Sequence, residues 1–528
     1  MMFGTPDMNR RDFLRTTALG AAGLASLSAA PWLRADEASP AGRRPNVVVI
    51  YSDDQPFDEL GCYGGRVPTP HIDSLARDGM KFTRFYVCSA VCCPSRYNVL
   101  SGRFASRSGL FHERCPPGTP VNLGWEPGIA GERHTLPLLM QQAGYRTGFV
   151  GKWHQHGVVD EVDVPPQAPP LAVKTQKLLE HNYAQHIKAI KACGFDYADG
   201  VYCHNTGNPR VQKPRWLPDP WRVHNQEWIT AAAVRFIEQN REQPFFLYMP
   251  TTLTHAPSPL ESLRKGDPRA TPAGYLDEAP DVQPSREDLL ERIHKARANR
   301  YEAGAMWLDD AVGAVLKTLD DLDLAENTIV IYASDNGKVP GKNTCYDLGA
   351  HLPCLIRWPA RIKPGTTTDK LAANVDFAAT LYDACGVDVP EDAKVDGRSL
   401  LPLLTGGDYQ RESILLEIGC TRAVVTEDRY KYLALRFEPE IQKQVEQGAR
   451  YTHNGLKLGE HHHTYKAEKT WNHYFAPDQL YNLKADPKEQ RNLAGRADQA
   501  DRLKRMQGLM TRYSADLPHA FGEFTRNG

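Results

Sequence analysis

The sequence predicts an α/β fold, with a mostly parallel central sheet sandwiched by helices and a smaller C-terminal α+β domain containing an antiparallel sheet. Short apolar runs, of the kind expected for strands buried on both faces, end abruptly in polar residues. Helical patterns lie between those runs. Beyond "DGRSLLPLLTGG" (396–407) the pattern changes to strands that read as antiparallel.

The strand "NVVVIYSDD" ends in Asp53 and Asp54, and "YRTGFVGKWH" (145–154) ends with Lys152 and His154. "PFFLYMPTTLTH" (244–255) ends in His255, and "TIVIYASDNG" (328–337) in Asp335 and Asn336. The clearest helical pattern spans 286–324, with apolar residues three and four apart. Ligands of parallel α/β sheets bind beyond the carboxyl ends of the strands, so all four polar clusters are expected to meet in one crevice. "ESILLEIGCTRAVVTEDRYKYLAL" (412–435) predicts antiparallel strands around a turn at Glu427-Asp428. The expected organisation is a catalytic domain over 40–407 and a C-terminal subdomain over 408–528.

Composition narrows the function. The chain has 528 residues, 41% of them hydrophobic, and a formal net charge of -1. Bulk charge therefore implies neither a nucleic-acid nor a membrane-surface partner, and an acidic substrate needs a locally basic pocket. The first 35 residues carry Arg10-Arg11 and an uncharged run from Thr16 to Leu33, rich in Ala, Gly and Ser. This reads as a twin-arginine signal peptide cleaved after Ala30 or Ala35; the alternative is an uncleaved anchor, since the run nearly reaches spanning length, and its low hydrophobicity favours the signal. The expected mature protein is exported, periplasmic or extracellular, with no membrane contact once the signal is removed. Eleven cysteines at irregular spacing make neither a disulfide scaffold nor a zinc ribbon.

Asp53, Asp54, Asp335 and Asn336 offer hard oxygen ligands suited to calcium or magnesium. One Asp pair alone could simply cap a helix, but two pairs after matched strands favour a metal. Their charges are expected to repel unless a cation sits among them. Lys152, His154, His255 and Lys342 would supply positive charge and proton-transfer groups for an anion held there. "CCPSRYNVLSGR" (92–103) reads as a turn into a helix from about Ser95, with Gly102 near its end. Cys92 or Cys93, near a helix N-terminus, is a candidate nucleophile; the alternative is a structural vicinal pair. The stretch 450–475 gathers His453, His461, His462, His463, Tyr465, Trp471 and His473, which could line a sugar subsite, form a surface tract or bind a metal adventitiously.

Together these motifs resemble type I formylglycine-dependent sulfatases of the alkaline-phosphatase-like superfamily. The signature Cys-x-Pro-Ser-Arg, then Leu-Thr/Ser-Gly-Arg, stands here as Cys92-Cys93-Pro94-Ser95-Arg96 and Leu100-Ser101-Gly102-Arg103. Its register selects Cys92 over Cys93. Further blocks match in order, including "TPHIDSLARDGMKFTRFY", "GKWH", "YASDNG" and "DQLYNLKADPKEQRNLA".

The resemblance implies that Cys92 is oxidised before folding by a formylglycine-generating enzyme. It also implies that Asp53, Asp54, Asp335 and Asn336 bind Ca2+, with Mg2+ permitted by ligand type and residue 92 completing the shell. Arg96 would orient the modified residue, Lys152 and Lys342 would hold the sulfate, His255 would protonate the departing alcohol, and His154 would remove a proton from the second hydroxyl. The implied reaction is hydrolysis of a small-molecule or oligosaccharide sulfate ester through a geminal diol and a covalent sulfo-enzyme intermediate. The block around Lys342, "KNTCYDLGAHLP", departs from the family pattern with Asp347 for Glu and His351 for Arg. Two rivals share the scaffold: a phosphonate or phosphate ester hydrolase, and an inactive glycan-binding homologue.

Overall fold

The computed structural model describes residues 44–525, except 156, 158, 207–215 and 459–465. The twin-arginine segment, His461, His462, His463 and Tyr465 lie outside the described residues.

In chain order the strands are β1 (Asn46–Ser52), β2 (Met80–Tyr86), β3 (Arg146–Lys152), β4 (Tyr197–Tyr202), β5 (Phe245–Pro250), a short ribbon of β6 (Ala270–Thr271) and β7 (Gly274–Tyr275), β8 (Thr328–Ser334), β9 (His351–Arg357), β10 (Thr366–Thr368) and β11 (Ala372–Ala373). The central sheet has the order β10-β2-β9-β8-β1-β5-β3-β4, with β11 also pairing β2. Only β9 runs antiparallel to its neighbours. The mostly parallel sheet is therefore as expected.

Both faces of the sheet are covered. Val47, Val49 and Tyr51 point into one apolar cluster, Val48 and Ile50 into the other, as the two-residue period of a strand requires. Helices Cys92–Ser101 and Asp376–Cys385 pack on the first face, and Gln226–Gln239 and Glu302–Asp321 on the second. Burial on both faces explains why these strands read as unbroken apolar runs.

A second, antiparallel sheet has the order β12 (Ser413–Ile418), β13 (Thr421–Thr426), β14 (Tyr430–Leu435), β15 (Asp478–Asn482). It turns after Thr426 as expected, and also at Gly419, whose φ of 57° permits a two-residue connection. Its buried residues Leu415 and Leu433 join the same apolar cluster as Val47.

Two helical boundaries differ from the sequence reading. The 286–324 pattern is two helices, Arg286–Ala296 and Glu302–Asp321, because Arg297 turns left-handed at φ 52° and Asn299 Oδ1 accepts from the N–H groups of Tyr301 and Glu302. The other helix begins at Cys92, not near Ser95. Val91 is extended at φ -154° and its carbonyl accepts from Ser95 N–H, so Pro94 falls inside the first turn, where its missing N–H costs nothing.

Candidate active site

Strand register brings the polar clusters together. Ser52 of β1 lies opposite Ser334 of β8, so Asp53 and Asp335 leave the sheet side by side. Asp335 N–H donates to Ser52 O at 3.0 Å, and Asp54 N–H to Asp335 Oδ1 at 3.2 Å. Beyond β5 the chain folds back: Asp53 N–H donates to Leu253 O at 2.7 Å and Thr254 N–H to Asp53 O at 2.6 Å. That return places His255 Nε2 3.8 Å from Asp54 Oδ2. At the end of β3, Gly151 has φ 105°, and a Cβ there would lie 1.8 Å from Pro250 O. Only glycine permits the bulge that aims Lys152 at Asp53, 2.5 Å away.

The helix Cys92–Ser101 enters this cluster with its first residue. Cys92 Sγ lies 3.6 Å from Asp53 Oδ1 and 3.5 Å from Lys342 Nζ. One turn on, Arg96 shares its face of the helix. Its Nη2 donates to Asp335 Oδ2 at 2.7 Å and Asp53 Oδ2 at 3.3 Å, and Nη1 donates to Lys152 O at 3.2 Å. Lys342 Nζ bonds Asp54 Oδ1 at 2.5 Å. The carboxylates are thus paired by the chain's own Lys152, Arg96 and Lys342. These three cationic side chains offset part of the expected mutual repulsion, which still raises Asp335.

One oxygen is left over. Asn336 Nδ2 donates to Asp54 Oδ1, whereas its Oδ1 is buried with no hydrogen-bond partner among the described residues. An unpaired buried carbonyl is costly, and a hard cation would satisfy it. Asp53, Asp54 and Cys92 also stand close enough, with His255, to share one ion. The donor set therefore fits a divalent cation.

Electrostatics separate the titrating groups. Burial alone would raise the Asp53 carboxyl, but Lys152, His255 and Arg96 outweigh it and hold it well below the usual carboxylate range. Burial, and then the charge of Asp53, push Asp335 up to about 6. Burial followed by Asp53 pushes the Cys92 thiol up to about 12, so it stays protonated at neutral pH. Burial also raises Cys93. Neither thiol is therefore a ready thiolate, despite the helix N-terminus. Burial and then Lys342 lower His255 below the ordinary histidine range.

His154 follows two residues after Lys152 with φ 43°, its N–H donating to Cys203 O at 3.1 Å. Asp347 and His351, the departures around Lys342, turn away from the cluster: Asp347 accepts from Lys431 and Tyr86, and the His351 ring stacks on Tyr86. The sugar-subsite reading fails for His453, which is fully buried, stacks on Tyr474 at 3.8 Å and bonds its carbonyl. Trp471 is 3% exposed, with one face against Tyr346 at 4.0 Å, and lines a cavity of about 460 Å3.

Sequence reasoning missed His224. Burial lowers its imidazole to about 4, so it is neutral. Nε2–H donates to the carbonyls of His255 and Pro257, both at 3.0 Å, while Nδ1 accepts from Thr252 Oγ1 at 2.8 Å. It props the segment that presents His255. A histidine 31 residues upstream, in no apolar pattern, gives no sequence signal for that role.

The Sulfatase family model matches residues 45–387. An N-acetylgalactosamine-6-O-sulfatase of Bacteroides thetaiotaomicron is 28% identical over 523 residues, covering 86% of this chain and 90% of its own. Arylsulfatase A of Homo sapiens is 30% identical over 396 residues, covering 70% of each chain. A solved structure in complex with its substrate, D-glucosamine-2-N,6-O-disulfate, superposes with TM-score 0.59 at 21% identity, over 90% of this chain and 99% of that one, and shares the fold.

Proposed function

The chain belongs to the sulfatase family and is a sulfuric ester hydrolase, and from that premise we propose that it removes sulfate from sulfated sugars, using an aldehyde made from Cys92 beside a bound divalent cation. The observation that carries this reading is the convergence of Asp53, Asp54, Asp335 and Asn336 on Cys92, with Asn336 Oδ1 unpaired among the described residues. The curated relatives of this chain include sulfatases named for amino-sugar sulfates, which supports the sugar substrate.

Cys92 is the unmodified precursor, a thiol too buried to ionise at neutral pH. The hydrated aldehyde would supply a nucleophilic oxygen and a second hydroxyl, and the cation would polarise the sulfate. Asp53, Asp54, Asp335 and Asn336 would hold that cation, Ca2+ or Mg2+ by ligand type. Once their carboxylate partners turn to it, Lys152 and Lys342 keep their positive charge for the sulfate oxygens. Arg96, wedged between Asp53, Asp335 and Lys152 O, fixes the carboxylates. His255 Nδ1 faces Ala256 O at 2.7 Å, which leaves Nε2 to give a proton to the departing oxygen. His154 is assigned removal of the proton that restores residue 92.

The cavity of about 460 Å3 is lined by Phe57, Tyr86, His351 and Leu348, at the strand end from which Asp53 and Asp54 emerge, and would receive the sugar. Among the described residues no helix is long and apolar enough to cross a membrane. Export by the twin-arginine route, supported by Arg10 and Arg11, belongs to the same proposal.

A mass spectrum of the tryptic peptide containing residue 92, with calcium-dependent hydrolysis of an aryl sulfate on the same preparation, tests this reading. An aldehyde with turnover supports it. An aldehyde with strong preference for aryl phosphate overturns the substrate assignment, and turnover by protein carrying only the thiol overturns the mechanism.

A further inference from the structure

Glu161, His186 and His204 form a second group of ligand-type side chains, apart from the residues assigned above. They come from three different elements. Glu161 lies in the loop after β3, His186 in the helix Val173–Ala192, and His204 two residues past β4. One ligand atom from each lies within 4.8 Å of the others. His186 Nε2 and Glu161 Oε1 are in direct contact, and His204 Nε2 is 3.1 Å from Oε1 and 3.4 Å from Oε2. The side chains of His186 and Glu161 are buried, while that of His204 is 25% exposed and marks the open side.

We propose that this cluster is a zinc site that pins the loop after β3 to β4 beside the catalytic centre. A hydrogen-bonded His-Glu-His triad could tie the same elements together. What favours an ion is that a ring nitrogen of each histidine and a carboxylate oxygen, drawn from three separate elements, lie within 4.8 Å of one another, so that small side-chain shifts would set all three around one small cation. No described residue bonds His186 Nδ1, so that ring's tautomer is set by whatever sits at Nε2. Two imidazoles and a carboxylate are a ligand set for Zn2+, with a fourth position left for water. Nitrogen donors disfavour Ca2+, which takes oxygen. The chain would then hold two ions of different kinds, sorted by ligand chemistry.

The location gives the site a consequence. Cys203 O accepts from His154 N–H, and His204 is the next residue. An ion on His204 therefore braces the strand end against which His154 is set.

The test uses the full chain carrying His461→Ala, His462→Ala and His463→Ala, so that the triple-His tract cannot supply zinc binding, and keeps calcium at saturation. Competition against a chromophoric zinc chelator should show one tight equivalent of Zn2+, and Co2+ should give the intense visible bands of a four-coordinate site. Losing an outer-shell partner typically costs roughly 10- to 100-fold in metal affinity, so losing a ligand in His186→Ala or Glu161→Gln should cost at least that. His204→Asn, at the exposed edge, provides a variant in which folding is least at risk, with far-UV circular dichroism and calcium affinity as controls. No zinc uptake by the triple variant, or uptake unchanged in folded His204→Asn, overturns the proposal. Both outcomes are readable without sulfatase turnover and so are independent of the aldehyde mechanism.

Discussion

Two buried charge clusters in this chain look alike in composition and differ in closure. Around Cys92, Asp53, Asp54 and Asp335 meet Lys152, Arg96 and Lys342. Under the second sheet, Asp347 and Glu489 meet Lys431, which is also bonded to Cys345 O at 3.0 Å. In the second cluster Tyr86 OH donates to Asp347, Asp347 N–H donates to Glu489 Oε2, and none of these polar side-chain atoms is left unsatisfied. In the first, Asn336 Oδ1 and Arg96 Nε remain without partners among the described residues. A closed cluster holds the fold together; an open one keeps bonding capacity in reserve for a ligand.

Mutations at the two clusters should therefore fail differently. Cys92→Ala should lower turnover by on the order of 10^4-fold or more, as loss of a nucleophile does, while the melting temperature barely moves. A melting temperature that collapses with activity would break the contrast. Lys431→Met leaves two carboxyl groups buried without their cation and should destabilise by about 3–5 kcal/mol, read by urea unfolding, with kcat of the folded fraction near wild type. A stable, inactive Lys431→Met protein would assign that cluster to catalysis instead.

Asn336→Ala should weaken calcium binding by about 100-fold, at the upper end for loss of a supporting group, with a stability loss of about 1–3 kcal/mol from its Nδ2 bonds to Asp54 and Gly337 O. Calorimetric titration reads this directly. pH sharpens the comparison further. Asp335 is raised to about 6, its neutral form favoured by burial and by Asp53. A cation needs it ionised, so calcium affinity should be constant above about pH 6 and fall by up to about tenfold per pH unit below it. Indifference to pH between 7 and 4.5 would remove Asp335 from the ligand set. The smallest effect is steric: Leu348→Trp, at a wall position 46% exposed, should raise KM several-fold for a sulfated oligosaccharide and leave a small aryl sulfate unchanged. Equal effects on both would move the sugar elsewhere.

Much of the open cluster was legible because strands report their own ends. Each apolar run stopped at the residue that turns into the site, and the parallel sheet required those ends to share an edge. The Cys-x-Pro-Ser-Arg register then chose between two adjacent thiols. The helix start was misplaced because proline is tolerated throughout the first turn, so Pro94 does not mark where that turn begins. His224 and the Glu161–His186–His204 group were illegible for another reason. Their roles rest on contacts across 28 to 33 and 18 to 43 residues, set by tertiary placement and not by any local period. Lys431 sits in a strand where a lysine ordinarily marks an exposed edge, and only the structure shows it fully buried.

The burial of the helix Cys92–Ser101, every residue of it, makes activity a matter of timing. Cys92 is 1% exposed once the chain has closed, so under the proposed mechanism a modifying enzyme and the folding reaction compete for the same segment. Folding here waits on distant partners: β1 must find β8, some 282 residues along the chain, and such long-range pairing is slow. That delay is the interval in which oxidation can occur. The active fraction of a preparation is then a ratio of two rates fixed at synthesis, and a molecule that folds first carries a sound scaffold that later exposure to the modifying enzyme will not rescue.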